Sequence, residues 1–221
     1  FIINIDNQFP ILIHNHEIPM KILDVSSGRK RLAIIDDNND LSIIDIKSKE
    51  TLYSNIKAKS VSFNSDLEDL VSYWYDGNVY LKTGDFPPTC EKMNGVIVGY
   101  ISTKVFLLQG QNNVNILDTS QSTSIIRYAE KKEYEKAYQL ATLGATKEEW
   151  LFLGFESLEN MDLKTALACF KKLEDMRLIN LIMNVEKDVN NQANLDIILG
   201  EIKCFKGDYN KAEELFLKGN C

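Results

Sequence analysis

The spacing of apolar residues changes once along this chain, from strand-like to helix-like, near Ser124. Before that point, short runs rich in Ile, Val, Leu and aromatic residues alternate with clusters of Asn, Asp and Gly, which is typical of strands joined by tight turns. After it, apolar residues recur at i, i+4 and i+7, the spacing of one helix face. The pattern predicts a multidomain chain, β over residues 1–123 and helical over residues 124–221.

The strand-like part predicts hairpins that repeat with a nearly constant step. RLAIIDDNNDLSIIDIK and LVSYWYDGNVYLKTG each hold two strands around a polar turn, and KVFLLQGQNNVNILDT continues the series. Leu70 follows Leu32 by 38 residues, and Asn113 follows Asn78 by 35. Such a period is typical of WD-repeat-like β-propeller blades, although no Trp-Asp dipeptide is present. Because about three blades do not close a ring, we expect the last blades of a longer propeller.

The first residues predict the outer strands of a preceding blade, FIINI and FPILIHNH. His14 and His16 would alternate on the second of these strands, so that both side chains face one way beside Glu17. Two ligands make a poor zinc site without a third. We therefore predict no metal site here.

The helical part begins with recognisable capping signals. Thr146 followed by Glu149 is a capping box, which satisfies free amide groups at a helix start. Asp162 is placed to cap the next helix. Between and after these residues the apolar positions form single faces, so the pattern predicts helices joined as hairpins.

Two of these predicted hairpins share a set of positions that matches the tetratricopeptide pattern. Gly154 precedes Ala166 by 12 residues, and Gly200 precedes Ala212 by the same interval. Small residues at these positions allow paired helices to pack closely. The predicted structural repeat positions are Trp150, Leu153, Gly154, Ala166, Phe170, Leu199, Gly200, Ala212 and Phe216.

The helical array is predicted to be irregular. KEYEKAYQLA supplies another copy of the second helix of a hairpin, with Ala141 where the other copies have Phe. MRLINLIMNVEKD adds an extra helix between the two full copies, with Leu178, Ile182 and Val185 on one face. The fold class is therefore propeller blades followed by a TPR-like α-solenoid.

Composition and charge exclude several classes of function. The net charge is −7, and the basic run Arg29–Arg31 is isolated, so we predict a hairpin tip there and no nucleic-acid surface. The four cysteines form no CxxC pair, and the longest apolar runs are too short to cross a membrane. With only two histidines and no nucleophile or phosphate motif, we predict no catalytic residues, no cofactor and no enzyme.

Two further motifs resemble ligand-binding sequences, but we predict a structural role for each. Asp36–Asp40 copies the start of a calcium loop, but Leu41 replaces the required Gly and Lys47 the bidentate Glu, so we predict a hairpin turn. Tyr73–Tyr75 is an aromatic cluster, for which packing between blades is favoured over a ligand platform.

Several longer runs resemble the propeller-to-helix junction in one family of large subunits of intraflagellar transport complex A. They are SGRKRLAIIDDNNDLSIIDIKSKETLY, GVIVGYISTKVFLL, YEKAYQLATLGAT and DLKTALACFKKLEDMRLINLI. The resemblance implies two N-terminal propellers, a long helical solenoid and a non-enzymatic scaffold for retrograde ciliary transport and ciliary entry of membrane proteins. It also implies other complex A subunits as partners, membrane-protein cargo with its adaptors, and a location in the cilium, basal body and cytoplasm.

Two alternatives stay open from the residues alone. A vesicle-coat subunit of the COPI or clathrin type has a similar order of parts. A propeller-based hydrolase would need a polar constellation at the central channel, which the sequence does not show.

Overall fold

The computed structural model describes residues 2–3, 10–110 and 113–219. The chain divides into two compact units, Phe1–Thr119 and Ser120–Cys221. The described strands all lie in the first unit and the described helices all lie in the second.

The first unit is built from separate antiparallel sheets that follow each other along the chain. Two two-residue strands, β1 (Ile2–Ile3) and β2 (Pro10–Ile11), pair with each other. Three larger sheets follow, with strand orders β3-β4-β5-β6, β10-β9-β8-β7 and β11-β12-β13. The strands are β3 (Met20–Val25), β4 (Arg31–Asp36), β5 (Asp40–Asp45), β6 (Thr51–Lys57), β7 (Ser60–Phe63), β8 (Leu70–Tyr75), β9 (Asn78–Thr83), β10 (Thr89–Lys92), β11 (Val96–Ile101), β12 (Lys104–Gln109) and β13 (Asn113–Asp118).

The central hairpins of these sheets are the ones that the polar turns predict. The Asp36 carboxylate accepts a hydrogen bond from the Asp40 amide at 2.8 Å, and Asn39 adopts a left-handed backbone. Asp36 is 2% exposed, so the carboxylate that accepts this turn hydrogen bond is buried. The hairpin prediction for this segment is confirmed. The second predicted turn, at Asp76–Asn78, likewise joins β8 to β9.

Four strands are absent from the sequence prediction: β3, β6, β7 and β10. They are the innermost and outermost strands of the first two large sheets. All four residues of β10, Thr89–Lys92, are exposed, so that strand carries no apolar alternation at all. Backbone pairing with a neighbour, rather than burial of its side chains, defines it.

The strand predicted for FPILIHNH is wrong beyond Ile11. His14 and His16 lie in an irregular segment that ladders with no strand of the described part of the chain. Their rings are 5.6 Å apart, and His16 Nε2 lies 3.5 Å from the Asp36 carboxylate. The segment is rich in apolar residues, but without a neighbouring strand its backbone amides and carbonyls have no ladder partners. Apolar content alone therefore does not make it a strand.

The first and second large sheets pack face to face through a shared apolar core. Tyr73 is 4% exposed within it and stacks on Tyr80, with ring centroids 5.0 Å apart. The predicted packing role of the aromatic cluster is therefore confirmed for Tyr73. The buried members of the core are Ala33, Ile35, Leu41, Ile43, Ala58, Val61, Phe63, Val71 and Tyr73.

Hydrogen bonds between inner strands also tie neighbouring sheets together. The Phe63 amide donates to the Asp24 carboxylate at 2.7 Å, which links β7 to β3. The Ile97 amide donates to the Ser60 hydroxyl at 3.0 Å, which links β11 to β7. Three sheets joined side by side through their first strands form a β-propeller-like arrangement.

The second unit contains seven helices in its described residues. They are α1 (Ser122–Glu130), α2 (Tyr134–Ala141), α3 (Lys147–Glu159), α4 (Leu163–Leu173), α5 (Met176–Asn190), α6 (Leu195–Lys206) and α7 (Tyr209–Gly219). The pairs α1–α2, α3–α4 and α6–α7 pack as consecutive hairpins, and α5 lies between the second and the third. The first helix therefore begins inside the polar segment Asp118–Ser124.

The predicted caps are present. The Thr146 hydroxyl accepts from the Glu149 amide at 3.3 Å, and the Glu149 carboxylate accepts from the Thr146 amide at 2.6 Å. Asp162 accepts from the amide of Thr165 at 3.2 Å at the start of α4. These contacts satisfy amides that have no partner within the helix, so each hairpin starts at a defined residue.

Candidate functional site

The candidate site is the set of contacts at which the helix hairpins of the second unit close. In the α3–α4 hairpin, Gly154 lies directly against the ring of Phe170. A Cβ atom placed on Gly154 would lie 2.8 Å from Cδ1 of that ring, closer than real Cβ atoms approach. Phe170 is fully buried and also meets Phe155 edge-on, at 5.3 Å between centroids. Glycine is therefore the residue that lets this ring lie across α3.

The α6–α7 hairpin repeats the same contact with different residues. A Cβ atom on Gly200 would lie 2.7 Å from Cε1 of Phe216. Ala212, one turn before Phe216, is 1% exposed, as Ala166 is 0% exposed in α4. The two hairpins thus share one closing geometry, a ring of the second helix seated on a glycine of the first.

The other predicted repeat positions fall around these contacts. Leu153 is fully buried, and Trp150 is buried and meets the Tyr138 ring of α2 edge-on at 5.4 Å. Leu199 is half-buried and packs against an apolar core of the helical unit. That core joins α3 and α4 to α5 and α6, and its buried members are Phe155, Leu158, Ala166, Phe170, Leu178, Leu181, Ile182, Val185, Ile198 and Ile202.

A cluster of charged side chains, which we call the ionic cluster, links α3 to α6 across the inserted α5. Lys203 Nζ donates to the Glu159 carboxylate at 2.6 Å. Lys206 Nζ reaches Glu159 at 2.8 Å and Glu156 at 3.2 Å. Sequence reasoning missed this cluster because its partners are more than forty residues apart and each group alone looks like an ordinary surface charge.

Burial and hydrogen bonding shift the pKa values of Glu159 and Lys206 in opposite directions. Burial alone raises the pKa of Glu159, but the hydrogen bonds from Lys203 and Lys206 outweigh it and hold that pKa below its usual value. Burial likewise lowers the pKa of Lys206, and its bonds to Glu159 and Glu156 raise it above the usual value. Glu159 and Lys206 therefore both stay charged at neutral pH, and the cluster acts as a polar bridge between hairpins.

A second polar cluster that sequence reasoning missed joins the first two sheets. Arg31 forms an ion pair with Asp69, and the Tyr53 hydroxyl donates to the Gly84 carbonyl at 2.6 Å. Burial, helped by the Asp85 carboxylate, raises the pKa of Tyr53 to about 12. Lys82 is 7% exposed, and its ammonium donates to a backbone carbonyl at 2.6 Å. Arg31, Tyr53 and Lys82 thus each make a structural contact within this cluster.

The buried cysteine of the helical unit has a structural role. Burial raises the pKa of the Cys169 thiol to about 12, so this fully buried cysteine is an unreactive core residue. The described residues hold no group of three or more His, Cys, Asp or Glu side chains that could bind a metal ion. Within that same part of the chain, no helix has both the length and the apolarity to span a bilayer.

Three antiparallel sheets joined through their inner strands and followed by packed helix hairpins define a repeat protein of propeller-like blades and helices. A sequence profile described as IFT122 second beta-propeller matches residues 1–114. Because that match covers more than half of the 221 residues, the chain belongs to the intraflagellar transport protein 122 family.

Individual relatives extend the similarity across both units. The intraflagellar transport protein 122 homolog of Homo sapiens is 32% identical over 213 residues, which are 96% of this chain and 17% of the human protein. The Mus musculus homolog is 31% identical over 96% of this chain, and the Xenopus tropicalis homolog is 31% identical over 97%. This chain spans less than a fifth of the length of these relatives.

Proposed function

We propose that this chain is part of a structural scaffold subunit of intraflagellar transport complex A. Phe1–Thr119 would supply the last blades of a propeller, and Ser120–Cys221 would supply the first hairpins of a TPR-like solenoid. The observation that carries the proposal is the pair of matching glycine–phenylalanine closures, Gly154–Phe170 and Gly200–Phe216, in a family member whose similarity spans both units.

The architecture supports a scaffold over an enzyme. Hairpins with a common closing contact stack through neighbours, which produces a long surface from a repeated unit. The ionic cluster fixes one such neighbour contact, between Glu159 of α3 and Lys203 of α6, despite the helix inserted between them. The two polar clusters described above, around Tyr53 and around Glu159, make structural contacts, as expected of a scaffold protein.

The partners and the location follow from the family. Other subunits of complex A would bind the propeller and the solenoid, and membrane-protein cargo with its adaptors would bind the assembled complex. The protein would work in the cilium and at the basal body and be present in the cytoplasm. Retrograde ciliary transport and ciliary entry of membrane proteins are the activities that it would support.

Imaging in ciliated cells tests this function. The full-length protein that contains this chain, carrying a fluorescent tag and replacing the endogenous copy, should move in trains along the cilium in both directions. Loss of the gene should reduce the frequency of retrograde trains and leave membrane proteins outside the cilium. Unchanged cilia and unchanged trains after loss of the gene would contradict the proposal.

The same cells separate the transport scaffold from a vesicle coat. A coat subunit would place the tag on Golgi or endosomal membranes, and loss of the gene would slow secretion before it affected cilia. The family match favours the first outcome.

A further inference from the structure

A short connection, Met93–Gly95, joins the outer strand of the second large sheet to the first strand of the third. Its first residue is held to the second sheet by two hydrogen bonds. The Met93 amide donates to the Gly77 carbonyl at 3.2 Å, and the Met93 carbonyl accepts from the Trp74 indole at 2.9 Å. The path between the two sheets is therefore fixed at Met93.

The last residue of this connection has to be a glycine. The backbone of Gly95 has a φ of +143°, which residues with a side chain rarely adopt. A Cβ atom there would also lie 3.0 Å from Cβ of Leu107 and 3.1 Å from the carbonyl oxygen of Leu108. Neither the conformation nor the space admits a larger residue, so packing against β12 fixes glycine at this position.

The residue before that glycine carries an unrestrained amide. Asn94 is exposed, and within the described part of the chain its side chain makes no hydrogen bond. It lines a surface cavity of about 390 Å³ together with Asp76 and Lys92. A free carboxamide, open to water, thus directly precedes the backbone amide of a glycine.

We propose that Asn94 is a site of spontaneous deamidation, and that its conversion loosens the join between the second and third large sheets. The Gly95 amide nitrogen attacks Cγ of Asn94, because no Cβ on the glycine hinders its approach. The new N–C bond closes a succinimide ring, the bond to the side-chain nitrogen breaks, and the Gly95 proton leaves with that nitrogen as ammonia. Water then opens the ring at either carbonyl, which gives isoaspartate or aspartate without any change of oxidation state.

Either product disturbs the connection. In isoaspartate the main chain runs through the former side-chain carbon, so one methylene is added between Met93 and Gly95. The new carboxylate also enters the cavity that Asp76 lines, where like charges repel. The longer connection no longer matches the spacing that the bonds from Met93 to Gly77 and Trp74 require. This inference concerns the sheets themselves and does not depend on the proposed scaffold function.

Peptide mapping by mass spectrometry tests the site in the full-length protein that contains this chain, incubated at physiological temperature and mildly alkaline pH. We expect Asn94 to convert at least about tenfold faster than Asn15 and Asn180, exposed asparagines that are followed by His16 and Leu181. A sample digested in acid before incubation corrects for conversion during preparation. Asn94 that stays intact, or that converts no faster than the two comparison residues, would overturn the proposal.

A variant pair tests the effect on the join between the sheets. Asn94→Gln should block the conversion, because the longer side chain would have to close a less favourable six-membered ring, and Asn180→Gln is the matched control that should still convert at Asn94. Residue-level hydrogen exchange then follows the Met93 amide, bonded to Gly77, and the Ile97 amide, bonded to Ser60. After incubation both amides should exchange at least about tenfold faster in the converted control and stay slow in Asn94→Gln. Equal exchange in the two incubated variants would contradict the loosening of the join.

Discussion

At the residue scale, two glycines carry most of the information about how the helical unit closes. Gly154 and Gly200 lie where the rings of Phe170 and Phe216 cross the first helix of each hairpin. Glycine normally weakens a helix interior, by about 1 kcal/mol relative to alanine. Its presence in the middle of α3 and α6 is explained by the ring that occupies the space of its missing side chain.

Replacement of Gly154 by alanine should improve helix propensity, but the new methyl group would overlap the Phe170 ring. We expect the overlap to be the larger effect, so that Gly154→Ala lowers the free energy of unfolding by about 1–3 kcal/mol. Combining it with Phe170→Leu should recover part of this loss, because the double variant removes the overlapping ring. Chemical denaturation of the four proteins gives the coupling energy. A stabilised Gly154→Ala protein, or strictly additive effects, would show that the contact does not limit this position.

The buried alanines give a second residue-scale prediction. Ala166→Leu and Ala212→Leu should each cost about 1–3 kcal/mol, because both sites are enclosed and a leucine would overpack them. The exposed controls Lys164→Ala and Glu213→Ala should change stability by less than about 0.5 kcal/mol. Lys211, also exposed in α7, is unsuitable as a control because it pairs with Asp208 at 2.9 Å. Equal denaturation midpoints for all four variants would contradict the claim that Ala166 and Ala212 lie at tightly packed sites.

At the element scale, the sequence predicted those parts whose cause is local. The capping box at Thr146, the turn at Asp36–Asp40 and the helix faces all depend on residues within a few positions of each other. Outer strand β10 was missed because all of its residues are exposed and it shows no apolar alternation. The ionic cluster was missed because its partners are more than forty residues apart along the chain. The strand predicted around His14 was wrong because apolar content does not reveal whether a pairing strand is present.

The ionic cluster predicts how the stability of the helical unit responds to pH. Glu159 has a lowered pKa, so its contribution is complete above its ordinary value of 4.5 and is lost as pH falls through the lower folded value. Glu159→Gln should therefore be less stable than the parent protein at pH 7, and the difference should shrink in acid. Thermal unfolding of both proteins between acid and neutral pH measures this. A difference that is independent of pH would mean that Glu159 contributes by packing alone.

Removal of one lysine tests the same bridge at fixed pH. Lys203→Met keeps most of the apolar volume but leaves Glu159 with one fewer charged donor, and we expect a loss of about 1.5–3 kcal/mol. Lys187→Met, at an exposed position of α5, is the matched control and should be close to neutral. If the two variants unfold alike in denaturant, α3 and α6 are held by the apolar core and the bridge is incidental.

At the scale of the whole molecule, the chain divides into two compact units. Within Ser120–Cys221, the hairpins pack mainly on their neighbours along the chain. We therefore expect a fragment of residues 120–221 to fold alone, with a helical circular dichroism spectrum and a cooperative thermal transition. A spectrum dominated by sheet or coil would contradict the independence of the helical unit.

The central claim is that this chain belongs to a scaffold of intraflagellar transport complex A, and co-purification measures it most directly. The tagged full-length protein is isolated from ciliated cells beside a version lacking residues 120–221, and bound proteins are quantified by mass spectrometry. The account predicts that the full-length protein recovers the other complex A subunits in near-equal amounts and that the deletion loses most of them. Recovery of vesicle-coat subunits instead, or of no stable partners from intact cells, would contradict it.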